Sequence, residues 1–475
     1  MEEMTELTQN QSAIVIGASI AGLVTARVLS DHFTKVYLIE RDSLSALPQS
    51  RKGQPQANHA HILLARGLEL LQRYFPGLSA ELNAEGATVG DPGHAMIWHT
   101  YGGYRAPFSL GKQVLFASRP FLEWKVRERV LPLKNLEVLS GYSAERLVPD
   151  LLQQQVMGVR VTSPSGETFT WKADLIVDAS GRGSRSGKWL EQIGYAAPQE
   201  VKVRCGTGYT TRVYRRQPKT SGLPSWIAST PHAPVERRGG AAFPVEGDRW
   251  IVSLFGWHGD HAPCQEEAFR AFARNLPTPE LYSLVSRCEP LSDFFTHKFP
   301  YSLRRHYEKF DSFPQGYLVL GDAVCSFNPI YGQGMTSALL QAATLDELLQ
   351  ERQGDLWNIA EPYFQRIAKL IDIPWQTAVG EDFRYPQATG PRRWGTGLIN
   401  AYLSWVHRAT HTDPLVSKTL AEVLNLLAPP ARLLTPRMVG RVLRNLMRPA
   451  RLRPSAHRST LPTLEPISHS SLVKA

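Results

Sequence analysis

The turn that closes the first βα unit constrains this chain more than any other feature. It reads Gly17-Ala18-Ser19-Ile20-Ala21-Gly22. Residues 13–16 before it form a short apolar run, as a buried strand requires, and residues 20–29 after it carry helical spacing. Residues 36–39 read as a second buried strand ending at Glu40, which completes a βαβ start. Set against G-x-G-x-x-G, the first and third glycines are present and the second is Ser19. Gly17 makes the tight turn, and Gly22 lets the helix pack on the strand. The middle position must be small, because backbone there approaches a pyrophosphate held at the helix N-terminus. Ser is a mild replacement, and its hydroxyl offers a bond to a phosphate oxygen. Glu40 stands where a carboxylate accepts hydrogen bonds from an adenosine ribose and repels a 2′-phosphate, so this site does not suit NADP. Gly17, Ser19, Ile20, Ala21, Gly22, Glu40 and the adjacent Arg41 are the candidates for the adenosine diphosphate half of a dinucleotide.

A second stretch, "LVLGDAVCSFNPIYGQGM", lies deep in the chain. Residues 318–320 read as a strand and Gly321 turns the backbone. Asp322 then stands at a strand's carboxyl end, where ligands bind in α/β sheets. Its carboxylate is suited to a ribityl hydroxyl. Asn328-Pro329 forces a turn, because the residue before proline avoids the helical region. Gly332, Gln333, Gly334 and Met335 open a helix whose free N–H groups favour the electron-rich edge of a flavin. FAD is longer than NAD and needs this second contact region, so the two stretches together select FAD.

Between them the pattern changes. "CGTGYTTRVYRR" and "AAFPVEGDRWIVSLFGWHG" alternate apolar and polar residues, with a tight turn at Glu246-Gly247-Asp248, as antiparallel strands do. After residue 355 the chain reads as helical, broken by Pro374, Pro386, Pro391, Pro414 and Pro429-Pro430. The expected fold is α/β. It comprises a Rossmann-like FAD-binding domain of the glutathione-reductase type (residues 12–90, 117–190 and 300–350), an inserted antiparallel-sheet substrate domain (91–116 and 191–299) and a helical C-terminal region (351–475).

The chain resembles the flavin monooxygenases of the p-hydroxybenzoate hydroxylase and squalene epoxidase class. Their G-D-x(5)-N-P-x-x-G-x-G motif matches Gly321, Asp322, Asn328, Pro329, Gly332 and Gly334. Their D-G-x-x-S-x-x-R motif appears altered as "DASGRGSRS", residues 178–186. It is most similar to the bacterial epoxidases of polyether biosynthesis, through "RKGQPQANHAHIL" at residues 51–63, "SRPFLEW" around Arg119, and "FNPIYGQGM". The resemblance implies FAD as cofactor, O₂ as co-substrate, and oxygen transfer through a flavin C4a-hydroperoxide. The product would be an epoxide or alcohol of a lipophilic polyene, terpenoid or polyketide. It also implies cofactor contacts from Arg51 and Arg119. Electrons come either from NAD(P)H docking transiently or from a separate flavin reductase. The competing reading is a flavin reductase of the geranylgeranyl reductase type. Epoxidation needs no amino-acid nucleophile, so no catalytic side chain is assigned; Tyr209, Arg212, Phe243, Trp257 and Pro329 are the candidates to line the pocket.

Composition excludes other classes. Hydrophobic and charged fractions of 43% and 20% are ordinary for a globular protein. Cys205, Cys264, Cys288 and Cys325 are scattered without C-x-x-C, so neither a disulfide framework nor a thiolate zinc site is expected. His59 and His61 lack the further ligands a metal needs. The polar, acidic start and the lack of a membrane-length apolar run predict a cytoplasmic protein. The net charge is +10, but eight arginines lie between Ala431 and Arg458 without an acid, and without them it falls to +2. That is a basic tail rather than a nucleic-acid-binding face. Within it Arg437, Arg441 and Arg444, beside a row of Met438, Val442 and Leu446, predict an amphipathic basic helix suited to peripheral contact with an anionic membrane.

Overall fold

A computed structural model describes residues 11–217 and 226–447. Its centre is a five-stranded parallel sheet. In spatial order the strands are Tyr317–Val319, Leu175–Asp178, Ser12–Ile16, Lys35–Glu40 and Leu136–Ser140. The strands are apolar because helices cover the sheet; Ala13, Ile14, Val15, Val36 and Leu175 are all fully buried. The helices Ile20–Leu29 and Gly334–Glu351 pack against each other. A three-stranded antiparallel sheet, Ser143–Pro149, Val156–Thr162 and Thr168–Lys172, joins this core with Trp171 edge-on to Tyr37 at 4.7 Å.

Residues 137–148 look like one strand in sequence but are two. Gly141, at φ +83°, turns the chain from the parallel sheet into the three-stranded one.

An eight-stranded sheet stands beside this core. Its order is Cys325–Ser326, Phe295–His306, Gln199–Arg215, Arg249–Trp257, Arg238–Val245, Trp226–Thr230, Met96–Thr100 and Gly103–Tyr104. All neighbours run antiparallel except Trp226–Thr230 with Met96–Thr100. The turn at Gly247 and Asp248, both at positive φ, closes a two-stranded hairpin as its sequence predicts. One face of the sheet packs on helices Glu266–Arg274 and Glu280–Arg287 through Val252, Leu254, Phe269 and Leu281.

Helices Ala360–Asp382, Thr396–Ala409, Pro414–Leu424 and Pro436–Met447 follow. Pro374 does not break the first of them as its sequence predicts; it sits inside a continuous helix and is buried. The helix buries Ile367, Ile371 and Trp375 in the main core as well as Pro374 itself, and that burial outweighs one lost backbone bond. Pro414 occupies the first turn of its helix, where proline costs nothing, and Asp413 caps it. The last helix also departs from expectation. Its row of Met438 and Val442 is buried against the two preceding helices, and Arg441 pairs with Asp413 at 2.8 and 2.9 Å. The apolar stripe offered to a membrane is thus spent on packing. The arginines from Arg448 to Arg458 lie outside the described residues. No helix among the described residues is long and apolar enough to cross a membrane.

Candidate functional site

Gly17 adopts φ +101°, and a Cβ there would sit 2.8 Å from the Ala179 carbonyl oxygen. A Cβ on Gly22 would sit 1.7 Å from the Gly17 carbonyl oxygen, so the helix can approach the turn only with glycine there. Ser19 is extended, and no side chain caps the helix it precedes. The first amides of that helix are therefore left without a side-chain partner at its positive end.

Around this turn lies a buried charge network that the sequence reading found only in part. Glu40 accepts from the Ala18 amide at 2.8 Å and the Asp42 amide at 2.9 Å, and pairs with Arg51 Nη1 at 2.9 Å. A carboxylate has about four acceptor positions, so one remains for a ribose hydroxyl. Arg51 also donates to the Ala18 carbonyl and to Glu123 Oε1, at 2.9 and 3.0 Å. Glu123 takes further bonds from Gln54 at 2.7 Å and Arg119 at 3.3 Å, and Arg119 reaches Ser19 Oγ at 3.2 Å. Glu123 stands one helical turn after Arg119, a spacing visible in sequence. Gln54 carried no such signal. Arg41 is exposed and stands outside the network.

The second half adjoins the first. A Cβ on Gly321 would meet the Ala21 Cβ at 3.2 Å, and one on Gly67 would meet Thr336 Oγ1 at 2.4 Å. Asp322 is half-buried in this junction, with no hydrogen bond to any described residue. Burial pushes its carboxyl above the ordinary range, and Arg119 and Arg182 partly offset this. Arg182 comes from the altered middle motif. It donates to Ser326 Oγ at 3.0 Å and the Tyr301 carbonyl at 2.8 Å, and lies over the Phe299 and Tyr301 rings. Asp178 of the same motif is fully buried and accepts from the Ser180 amide and from the Ser184 and Ser186 hydroxyls.

Asn328 and exposed Pro329 start the turn to Gly332, whose φ is +69°. Gln333 and Met335 are buried, and the helix from Gly334 has no side-chain cap. Gln333 donates to the Leu424 carbonyl at 3.1 Å, but its Oε1 is buried without a partner. The site therefore presents one spare acceptor on Glu40, an unpartnered Asp322 carboxylate, an orphaned Gln333 oxygen and two uncapped helix N-termini. These groups fit FAD: Glu40 the ribose, the Gly17–Gly22 turn the pyrophosphate, Asp322 the ribityl chain and the Gly334 helix the ring edge.

A cavity of about 830 Å³ opens beside the Asn328–Gly332 turn. The turn gives it Ile330 and Tyr331, the large sheet Phe243, Phe255 and Trp257, and the long helix Trp375 and Val379. Leu403, Leu420 and Leu433 from the last helices close it. Of the predicted lining residues, Phe243 and Trp257 face this space. Tyr209 does not line it; its ring packs edge-on to His59 at 4.8 Å. Arg212 lies on the opposite face of the sheet, paired with Glu266 and over Phe294 at 4.5 Å. Side chains alternate along a strand, so residues 209 and 212 never share a face. Pro329 starts the turn without lining the cavity.

His59 bonds Thr211 Oγ1 at 2.7 Å, and His61 bonds the His59 carbonyl at 2.8 Å. Burial, with the neighbouring His297 and His61, holds the His59 pKa at about 3; burial and Arg119 hold that of His61 at about 4. Both are neutral at physiological pH. Among the described residues, no group of three His, Cys, Asp or Glu side chains is placed to hold a metal.

Solved structures share this fold. A flavoprotein/dehydrogenase from Cytophaga hutchinsonii matches with TM-score 0.65 at 16% identity, over 91% of this chain and 96% of that one. The p-nitrophenol 4-monooxygenase PnpA of Pseudomonas putida matches with TM-score 0.62 at 15% identity, over 88% and 98%. No protein-family model matches the chain. Protein Rv3254 of Mycobacterium tuberculosis is 34% identical over 438 residues, 87% of this chain and 89% of that protein. Similarity of that degree along nearly the whole length means that the chain belongs to the same family as Rv3254.

Proposed function

We propose that this protein is an FAD-dependent monooxygenase that inserts one oxygen atom from O₂ into a lipophilic polyene, terpenoid or polyketide-type substrate. The observation that carries the reading is the shared Asn328–Gly332 turn. One side of it belongs to the split nucleotide site, and its Ile330 and Tyr331 form part of a large apolar cavity. Bound FAD would supply the reducing electrons and the activation of O₂. The chain's own part is to bind, orient and exclude water. Glu40, Arg51 and Asp322 hold the cofactor's polar length. Phe243, Phe255, Trp257 and Trp375 give the substrate an apolar seat, which favours the lipophilic part of a substrate over water there. The cavity's aromatic and aliphatic walls favour an alkene over a charged aromatic ring, and this supports epoxidation as in the polyether epoxidases. The electron donor is NAD(P)H at the flavin or a partner reductase.

The exposed apolar residues Trp394, Leu398, Ile399 and Leu434 lie on the C-terminal helical region, and Trp394 and Ile399 also line the cavity. They support contact with a membrane from which such a substrate is drawn. In a vesicle sedimentation assay, W394A/L398A should bind anionic vesicles less than the wild type does.

The test of the reaction is to reduce the flavin-loaded protein anaerobically, add an alkene or phenol panel, and admit ¹⁸O₂. One labelled oxygen in the product supports the reading. Product that gains only hydrogen rejects it in favour of a reductase of the geranylgeranyl type.

A further inference from the structure

The cavity contains a charge that the fold does not balance. Arg105 follows the short strand Gly103–Tyr104 and lines the cavity, with only 7% of its surface exposed. It makes no side-chain hydrogen bond or ion pair to any described residue, and its Nε and Nη2 atoms are buried without partners. Its guanidinium lies on the face of Trp98, with the guanidinium carbon 3.6 Å from the ring centroid. Burial alone lowers its pKa to about 9, so it remains a cation at neutral pH.

The other cations on the cavity wall are accounted for. Arg304 is paired with Asp372 and with Glu308. Lys309 and Arg393 are exposed. Of the long helix's acids on the cavity wall, Asp372 is paired with Arg304, and Glu381 has both oxygens taken by Arg384, at 2.8 and 3.0 Å. His407 also lines the cavity, and its Nδ1 is buried without a partner. It stacks on Tyr101 at 4.5 Å, and burial together with the charges of Arg105 and Arg384 keeps it neutral. An orphaned cation and an orphaned neutral imidazole therefore share one chamber, while the paired Arg304 and Glu381 have their partners within the fold.

A lone guanidinium is expensive to bury and is retained where something pairs with it. The Ala106 amide bonds the Thr410 carbonyl at 2.8 Å, so the carboxyl end of the Thr396–Ala409 helix is close and its partial negative charge offsets some of the cost. The planar fork of Arg105 keeps its donors free, and that fork matches a carboxylate bidentately.

We infer that Arg105 is the anchor for a carboxylate on the substrate, with His407 beside it as a second polar contact, so that the cavity takes a long lipophilic acid rather than a neutral hydrocarbon. This rests on the reading of the cavity as a monooxygenase substrate site. It adds an orientation: the acid end is fixed at Arg105, and the chain runs on through the apolar walls toward Ile330 and Tyr331.

The experiment titrates flavin-loaded protein at pH 8 with oleic acid and with methyl oleate, and reads quenching of tryptophan fluorescence. Trp98, Trp257 and Trp375 line the cavity and report on it. The acid should bind roughly 10- to 100-fold more tightly than the ester, the range of a charge-assisted hydrogen bond. R105Q should abolish this preference and R105K should keep part of it. R105Q should also melt no lower than the wild type, since the substitution removes an uncompensated buried charge. Equal binding of acid and ester by the wild type, absence of acid binding, or a preference that survives in R105Q would each overturn the anchor. Binding is read without turnover. Loss of acid selectivity with ¹⁸O incorporation intact therefore removes only the anchor. Acid selectivity without any oxygen incorporation leaves the anchor standing and removes the reaction.

Discussion

Asp382 offers a measurable account of what one buried carboxyl does to this fold. It ends the long helix and is fully buried. Its Oδ1 accepts from Asn328 Nδ2 at 2.9 Å and from Trp257 Nε1 at 3.2 Å, while Oδ2 is buried without a partner. Burial raises its pKa from 3.8 to about 7. Below about pH 4 both folded and unfolded chains are protonated there, and nothing is lost. Between about pH 4 and 7 the unfolded chain releases its proton while the folded chain keeps it, so stability falls as pH rises. Above about pH 7 both are ionised and the loss stays constant. Each pH unit of that window is worth about 1.4 kcal/mol, so the loss from this group between about pH 5 and pH 8 is on the order of 3 kcal/mol. Asp382→Asn removes the titration and keeps an oxygen for Asn328 and Trp257. The stability of this variant relative to the wild type should therefore rise by about that amount from pH 5 to pH 8, read as paired urea midpoints or melting temperatures of the flavin-loaded proteins. A difference between the two proteins that is the same at both pH values would show that Asp382 does not titrate in this window.

Three further outcomes are expected. Asp322→Ala should not lower melting of the flavin-free chain, because no protein group bonds that carboxylate and its desolvated charge costs stability, yet it should weaken FAD binding roughly 10-fold or more; unchanged affinity in a flavin fluorescence titration would remove Asp322 from the site. Gly22→Ala should give little soluble, flavin-loaded protein, because its Cβ would fall 1.7 Å from the Gly17 oxygen; a wild-type yield with bound FAD would contradict the packing. Trp257→Ala should raise KM for the substrate whereas Arg212→Met should not, and an equal effect in steady-state kinetics would mean that the cavity has been assigned to the wrong face of the sheet.

The nucleotide half was legible because its constraints are local. A tight turn, a close helix and an acid after the second strand each impose a residue type at fixed spacing, and Gly17, Gly22 and Glu40 stand in the turn geometry that spacing predicts. The Asp322 stretch was legible for the same reason. Arg212 was misplaced although the alternation of its strand already put it opposite Tyr209. Glu123 carries a helical-spacing signal, one turn after Arg119 on the same helix. Pro374 shows a local rule overridden by packing. Arg105, Gln54 and Asp382 carried no sequence signal. What sets each apart is a partner, or the lack of one, from a distant part of the chain, and only the tertiary structure brings those parts together.

The split of the nucleotide site also governs when the cofactor can be captured during synthesis. The turn at residues 17–22 leaves the ribosome early, but Asp322 and the Gly334 helix come much later. So does strand Tyr317–Val319, which covers the edge of Leu175–Asp178. At about 5–20 residues per second, the intervening chain takes on the order of 15–60 s to emerge. During that interval the nascent protein has half a dinucleotide site and an uncovered parallel edge. On the proposed reading as an FAD enzyme, full capture of the cofactor waits for the same late segment that closes the sheet, and FAD supply would bear on how much of this protein matures.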